Sequence, residues 1–296
     1  MFEKALFATD LSSASFSMIG CTCLQALVNL GTEECVLAMC VDGGTFSSVA
    51  FQQTRGVFEQ WMDEQKKLLE NHGFKTATDI CADAPAKGIP RLADKNRCSY
   101  IVLGSQGESA IKNFLLGSVT FDILQNSTVP VFLFRLKPSD TIPESVTCCS
   151  CTENLLDCVL FPTDFSENAE HAFQVVLELV RKGSRKVVLH HVQEDRRIKP
   201  HLEHRLEEFN RIDSERLDEM KKRLSEAGPV SVETRISRGA AVHEILQLAG
   251  EAGASLLVMG TRGRSNVKEI FLGSISQNVA RLSTTPMILV PGGRRE

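Results

Sequence analysis

The chain contains one module twice. Leu6-Phe7-Ala8-Thr9-Asp10-Leu11-Ser12 returns as Leu160-Phe161-Pro162-Thr163-Asp164-Phe165-Ser166, an offset of 154 residues. Ile101-Val102-Leu103-Gly104 returns as Leu257-Val258-Met259-Gly260, offset by 156, and Ser127–Phe134 returns as Ser283–Val290 at the same offset. A near-constant offset across three separated blocks identifies a tandem repeat. Each copy of about 140 residues is long enough to close a core of its own.

Within a copy, short apolar runs alternate with helical periodicity. In the second copy strands are predicted near 158–163, 186–192, 230–237, 255–260 and 287–290, with helices over 167–181, 201–227, 241–252 and 274–282. The first copy matches, with strands near 5–9, 35–41, 76–82, 100–104 and 131–134. Nearly continuous apolar strands separated by helices imply a parallel sheet covered on both faces, with right-handed crossovers. The fold class is therefore α/β, with two Rossmann-like domains in tandem. The expected boundaries are 1–137 for the first domain, 138–154 for a linker and 155–296 for the second. The linker region lacks apolar periodicity and carries Pro138, Pro143 and the cysteine run Cys148, Cys149 and Cys151, with Cys158 just beyond it.

Composition narrows the function classes. Hydrophobic residues at 43% and charged residues at 24% exclude wholesale disorder. A net charge of −4 gives no sequence-independent attraction to nucleic acid or to an anionic membrane. No run approaches the roughly 18 apolar residues of a membrane span, and the first residues show no signal-peptide pattern. The expectation is a cytoplasmic protein with reduced thiols and no nucleic-acid or membrane partner. Charge is uneven: residues 1–150 hold 12 basic and 16 acidic side chains, and residues 151–296 hold 21 of each.

The chemistry concentrates in a glycine pattern. The second copy reads Gly260-x-x-Gly263, nine residues, then Gly273-Ser274; the first reads Gly104-x-x-Gly107, nine residues, then Gly117-Ser118. Each pattern follows a strand and opens a helix. Glycines let the backbone leave the strand tip without a Cβ in the way, and a helix N-terminus favours an anion such as a phosphate. Ser118 and Ser274 are expected as N-caps. Neither Gly-x4-Gly-Lys-[Ser/Thr] nor Gly-x-Gly-x-x-Gly occurs, so this is a phosphate site of another kind.

With these motifs the chain resembles a tandem member of the universal stress protein family, whose ATP-binding signature is Gly-x2-Gly-x9-Gly-[Ser/Thr]. The resemblance covers nearly the whole chain outside the linker. It implies five parallel strands per domain in the order 3-2-1-4-5, with the domains paired through their last strands as an intramolecular pseudo-dimer. It also implies an adenine-nucleotide site in each copy. In the second, Pro162, Thr163 and Asp164 meet the nucleoside and Val192 offers backbone groups to the base. Met259, Gly260, Arg262 and Gly263 line the ribose and phosphates, and Gly273, Ser274, Ile275 and Ser276 close around the phosphates. In the first, the counterparts are Ala8, Thr9, Asp10, Val41, Leu103, Gly104, Gln106, Gly107, Gly117, Ser118, Val119 and Thr120. The first copy departs from the pattern in Ala8, which stands for Pro162, and in Asp83, which aligns with Gly239.

The second copy is expected to be the stronger site. Its phosphate loop carries Arg262, Arg264 and Lys268 with Glu269, against Gln106, Glu108 and Lys112 in the first. The implied function is an ATP-binding (or AMP- or ADP-binding) stress-response regulator, at most weakly hydrolytic, with Mg²⁺ as an optional companion of the nucleotide. An unidentified protein partner and a homodimer of pseudo-dimeric units are the further expectations. A nucleotide-hydrolysing enzyme and a scaffold with vestigial sites are the alternatives.

Three other constellations carry less. His190-His191 with Asp164 and Ser274 has the residue types of a hydrolase triad, but Met39 and Cys40 are expected at the histidine places in the first copy, so the shared site does not need them. His201-x-x-His204 with Glu207 and Glu208 sits among charges that fit a solvated helix face, and no metal ligand set is assigned. Cys148, Cys149, Cys151 and Cys158 crowd into eleven residues, which suits an incidental cysteine-rich linker better than a metal site; a redox-responsive linker is the alternative.

Overall fold

The computed structural model describes residues 1–41, 48–105, 116–138, 146–148, 154–194, 203–263 and 273–292. The chain divides into two units, Met1–Glu153 and Asn154–Arg295.

In the first unit the strands are β1 (Lys4–Thr9), β2 (Glu34–Val41), β3 (Lys75–Ala82), β4 (Tyr100–Gly104) and β5 (Val131–Phe134). They pair in parallel in the order β5-β4-β1-β2-β3. The helices are α1 (Ser13–Ile19), α2 (Gln25–Asn29), α3 (Ser48–Asn71), α4 (Pro85–Lys95) and α5 (Ser118–Asn126). Two short strands, β6 (Leu136–Pro138) and β7 (Val146–Cys148), form an antiparallel pair at the place expected to be a bare linker. Cys149 and Cys151 lie outside the described residues.

The second unit repeats the plan with β8 (Val159–Pro162), β9 (Lys186–Glu194), β10 (Ser231–Gly239), β11 (Leu256–Gly260) and β12 (Met287–Val290) in the parallel order β10-β9-β8-β11-β12. Its helices are α6 (Glu167–Arg181), α7 (Leu206–Ala227), α8 (Ala241–Glu251) and α9 (Ser274–Leu282). The expected helix over 201–227 starts at Leu206 instead, after a single 3₁₀ turn at Glu203–Arg205.

The central strands are apolar because helices cover both faces. Leu160, Phe161, Val187, Val188, Leu189, Leu256, Leu257 and Val258 are all fully buried, each contributing about 1.5–3 kcal/mol of burial if it resembles an ordinary core side chain. Phe161 meets Phe173 of α6 at 5.6 Å between ring centroids. β10 closes one side of its sheet, and no residue of it is buried, which is why its sequence reads polar. In both units successive crossovers reverse direction beside the first strand. That leaves a crevice beyond the strand ends at β8 and β11, and likewise at β1 and β4.

Candidate functional site

The end of β8 is shaped by its own side chains. Thr163 Oγ1 accepts a hydrogen bond from the Phe165 amide (3.0 Å), and Asp164 Oδ1 accepts from the Ser166 amide (3.1 Å). Ser166 Oγ then caps α6 by accepting from the Ala169 amide (3.2 Å). These local bonds hold Phe165 at φ +58°, a left-handed conformation that costs a bulky residue roughly 1–2 kcal/mol. The first unit repeats the device: Leu11 sits at φ +60°, its amide donating to Thr9 Oγ1, while Asp10 Oδ1 accepts from the Ser12 amide. Burial works to raise the Asp10 carboxyl, but hydrogen bonds from Ser12 and Ser15 outweigh it and hold the pKa below the usual carboxylate value.

The end of β11 turns on glycines for a reason of space. A Cβ at Gly260 would stand 3.0 Å from the Asn168 carbonyl oxygen, and one at Gly263 would stand 2.8 Å from Asp164 Oδ2. The Gly273 amide donates to the Thr261 carbonyl (2.7 Å), and Ser276 Oγ donates to the Gly260 carbonyl (2.7 Å), which ties the start of α9 to the strand tip. The first unit makes the same two ties, Gly117 amide to Ser105 carbonyl (3.0 Å) and Thr120 Oγ1 to Gly104 carbonyl (3.1 Å). The N-cap positions belong to Gly117 and Gly273 rather than to the serines expected there; Ser118 and Ser274 are the first helical residues. Leaving the cap without a side chain keeps the helix-start amides open.

The third wall comes from β9 and α7. His191 Nδ1–H donates to the Thr163 carbonyl (2.8 Å), and its Nε2 stands 3.5 Å from Asp213 Oδ2. Gln193 Nε2 donates to the same carboxylate oxygen (2.9 Å) and to Asn210 Oδ1 (3.0 Å). Phe165 lies against the His191 ring at 4.6 Å, and the Arg216 guanidinium covers Phe165 at 5.2 Å. His190 points to the other face, its Nε2 2.9 Å from Ser237 Oγ. Its buried Nδ1 has no hydrogen-bond partner among the described residues. Burial, followed by repulsion from His191 and opposed by Glu244, pushes the His190 pKa down to about 4, so the ring is neutral.

These walls enclose a cleft of ≈ 540 Å³, within the usual range for small-molecule sites. Pro162, Thr163 and Asp164 reach it from β8 and the turn after it, and Val192 from β9. Met259, Gly260, Arg262 and Gly263 line it from β11 and its loop, and Gly273, Ser274, Ile275 and Ser276 from the start of α9. All twelve second-copy residues assigned to the nucleotide site thus line one cavity; His201 and the loop charges Arg264, Lys268 and Glu269 lie outside the described residues. The sequence did not disclose the α7 contribution, Phe209, Ile212, Asp213 and Arg216, nor Ala241 and Ile245 of α8. Helical apolar spacing was the only available sign of them.

In the first unit Ala8, Thr9 and Asp10 stand at the end of β1, Leu103 and Gly104 at the end of β4, and Gly117, Ser118, Val119 and Thr120 at the start of α5. Gln106 and Gly107 lie outside the described residues. Strand register corrects the correspondence along β2 by one residue. Leu6 pairs with Val36 and its counterpart Leu160 pairs with Val188, so Ala38 and Met39, not Met39 and Cys40, match His190 and His191. Cys40, rather than Val41, is then level with Val192. The neighbouring strands agree, since Cys40 pairs with Cys81 and Val192 with Ser237. The physical reason is unequal loop length: Leu6 and Val36 are 30 residues apart but Leu160 and Val188 are 28, so the repeat's offset does not carry across this connection and only pairing fixes the match.

The triad geometry does not form. His191 is bonded to Thr163 and faces Asp213, and His190 is bonded to Ser237, so the histidine hydrogen bonds seen among the described residues go to groups other than Asp164 and Ser274. Among the described residues no group of three or more His, Cys, Asp or Glu side chains is placed to hold a metal ion. Nor is any helix long and apolar enough to cross a membrane.

Two doubly wound units, the second with a glycine-lined cleft at a helix start, define the class as tandem α/β proteins with the crevice beyond the strand ends. The family model described as universal stress protein family matches residues 1–135 and 157–291, and the chain belongs to that family. A universal stress protein of Methanocaldococcus jannaschii is 33% identical over 151 residues, 45% of this chain and 93% of that protein. One of Mycolicibacterium smegmatis is 28% identical over 230 residues, 75% of this chain and 71% of that protein. Among solved structures, a universal stress protein from Archaeoglobus fulgidus aligns over 99% of this chain and 100% of its own, with a TM-score of 0.75 and 26% identity.

Proposed function

We propose that the cleft of the second unit binds an adenine nucleotide, ATP or its lower phosphates, and that the protein acts as a ligand-dependent stress-response regulator rather than a catalyst. The observation that carries this reading is the cradle at Gly260, Gly263 and Gly273. A side chain at Gly263 would collide with Asp164, and the start of α9 presents helix amides at the same end of the cleft. Phosphates fit there because orphan amides and the positive end of the helix dipole converge. Arg262 lines that end and adds a cation. Val192, Ala241 and Ile245 give the cleft an apolar lining that suits a base, and Thr163 and Asp164 add polar groups that suit a ribose.

The residues fit a nucleotide but supply little for hydrolysis. The two cleft histidines are hydrogen-bonded to Ser237 and Thr163, so a hydrolytic role would fall to Asp164, the carboxylate beside the cradle. Mg²⁺ would reach the site as the companion of the phosphates, with Asp164 the nearest carboxylate to the cradle. The charge of the phosphate loops makes the second unit the stronger site.

Mass spectrometry of small molecules released by heat from the purified protein tests the ligand class, followed by calorimetric titration with ATP, ADP and AMP. Gly273→Val is expected to abolish the tight binding event and Gly117→Val to leave it. The opposite ranking overturns the assignment of the stronger site. Multiple-turnover ADP release lost on Asp164→Ala would overturn the non-catalytic reading. The absence of both released nucleotide and any thermal shift with ATP would favour a scaffold with vestigial sites.

A further inference from the structure

The first unit holds a cysteine pair whose thiols the nucleotide reading does not use. Cys40 and Cys81 are register partners on β2 and β3, and their sulfurs stand 2.9 Å apart as free thiols. Parallel neighbours lie about 4.8 Å apart, inside the Cα separation that a disulfide spans, so the sulfurs need to close by less than ~1 Å to bond. Both side chains are only partly buried, which leaves a small oxidant a path to them.

A second, independent observation comes from α4. Gly88 lies inside that helix, where glycine is disfavoured by about 1 kcal/mol relative to alanine. A Cβ there would stand 2.5 Å from Cys40 Sγ and 2.8 Å from Cys81 Sγ. The corresponding residue of the second unit is Glu244, and the corresponding strand pair is Val192 with Ser237. The helix therefore gives up a side chain at the one place where two sulfurs need the room.

We propose that Cys40 and Cys81 form a redox site that a hydroperoxide converts to an intramolecular disulfide. The Cys81 thiolate attacks the distal peroxide oxygen, the O–O bond breaks, and the leaving oxygen departs as water or an alcohol after taking up a proton. Cys81 is then a sulfenic acid. The Cys40 sulfur attacks that sulfur, expels water and closes the S–S bond. Two thiols are oxidised by two electrons and one peroxide is reduced.

Cys81 is the attacking member because of its surroundings. The hydrogen bond from Cys40, reinforced by the Arg91 guanidinium against burial, holds the Cys81 thiol below its ordinary pKa, while Cys40 as the donor is raised. Arg91 is itself anchored by Asp83 at 2.8 Å. Cys35, Cys98 and Cys158 are instead pushed up by burial, Cys35 to about 12 and Cys98 to about 11, and make poor nucleophiles.

The test is to expose the reduced, full-length protein to hydrogen peroxide, block remaining thiols with iodoacetamide and sequence the tryptic peptides by fragmentation. The expected product joins the Cys40 and Cys81 peptides, is lighter by two hydrogen atoms and is reversed by dithiothreitol. Cys35→Ser keeps the link. Cys40→Ser leaves a dimedone-reactive sulfenic acid on Cys81, whereas Cys81→Ser gives neither link nor adduct at Cys40. Gly88→Ala, which displaces the sulfurs, slows the cross-link at least tenfold. The proposal is overturned if Cys81 in the wild-type protein passes to sulfinic acid while Cys40 remains alkylatable. It is equally overturned if both stay alkylatable while other cysteines are consumed.

Discussion

Acid should weaken the second unit through one buried histidine. His190 is 1% exposed, has its Nδ1 unpartnered and is held neutral with a pKa near 4. In the unfolded chain an ordinary histidine titrates near 6.5. Between those values the unfolded state binds a proton that the folded state refuses, so stability rises with pH and is lost as pH falls from about 6.5 toward 4. Worked from the two values, the loss between pH 7 and pH 4.5 is about 2.5 kcal/mol for this residue alone. His190→Gln can keep the bond to Ser237 while removing the titration. Urea unfolding, followed by a probe in the second unit, should show the wild type losing about 2.5 kcal/mol more than the variant over that interval. An NMR titration of the His190 ring should give no chemical-shift step near 6.5. Parallel losses in the two proteins, or a His190 step near 6.5, would refute the reasoning.

Other outcomes follow from geometry. Gly263→Ala places a methyl 2.8 Å from Asp164 Oδ2, so that carboxylate must shift at the wall of the cleft. Nucleotide affinity by calorimetry should fall about tenfold, as for one charged hydrogen bond, and unchanged affinity would separate Asp164 from the ligand. Arg223 pairs with Glu170 (3.0 Å) and covers the Phe173 ring at 4.6 Å, on a half-exposed surface. Arg223→Ala should therefore cost only about 1 kcal/mol in urea unfolding, and a loss several times larger would mean that the pair is shielded from solvent. Arg216→Ala removes the guanidinium from the face of Phe165 and should cost about 0.5–1 kcal/mol, read as a matching small drop in melting temperature; no drop would show the stacking to be energetically silent.

The sequence disclosed the parts of the site that lie on motifs and missed the parts that lie on packing. Strand tips and glycines recur in both copies, so Gly260, Gly263 and Gly273 were legible from the repeat, and Thr163 and Asp164 from the repeat together with the family resemblance. Phe209, Asp213 and Arg216 were not, because α7 reaches the cleft from a separate stretch of chain and its inward face carries no spacing beyond that of an ordinary amphipathic helix. The histidine pair was visible as a motif, but its partners were not. Strand alternation sends neighbours to opposite faces, so His190 and His191 answer to Ser237 and to Thr163 with Asp213, respectively. The offset along β2 erred by one residue for a related reason: insertions between matched blocks are invisible to block matching, and only hydrogen-bonded register locates them.

Duplication within one chain has a consequence for inheritance. Where two identical chains build a pair of sites, any change in the gene is written into both at once. Here the two copies are separate stretches of a single gene and can drift apart. One half carries Val192, Ser237 and Glu244, while the other carries Cys40, Cys81 and Gly88 at the same places. A cysteine pair acquired in the first half leaves the histidine-lined cleft of the second as it was. Division of labour between the halves is thus open to selection in a way that a symmetric pair of chains forbids.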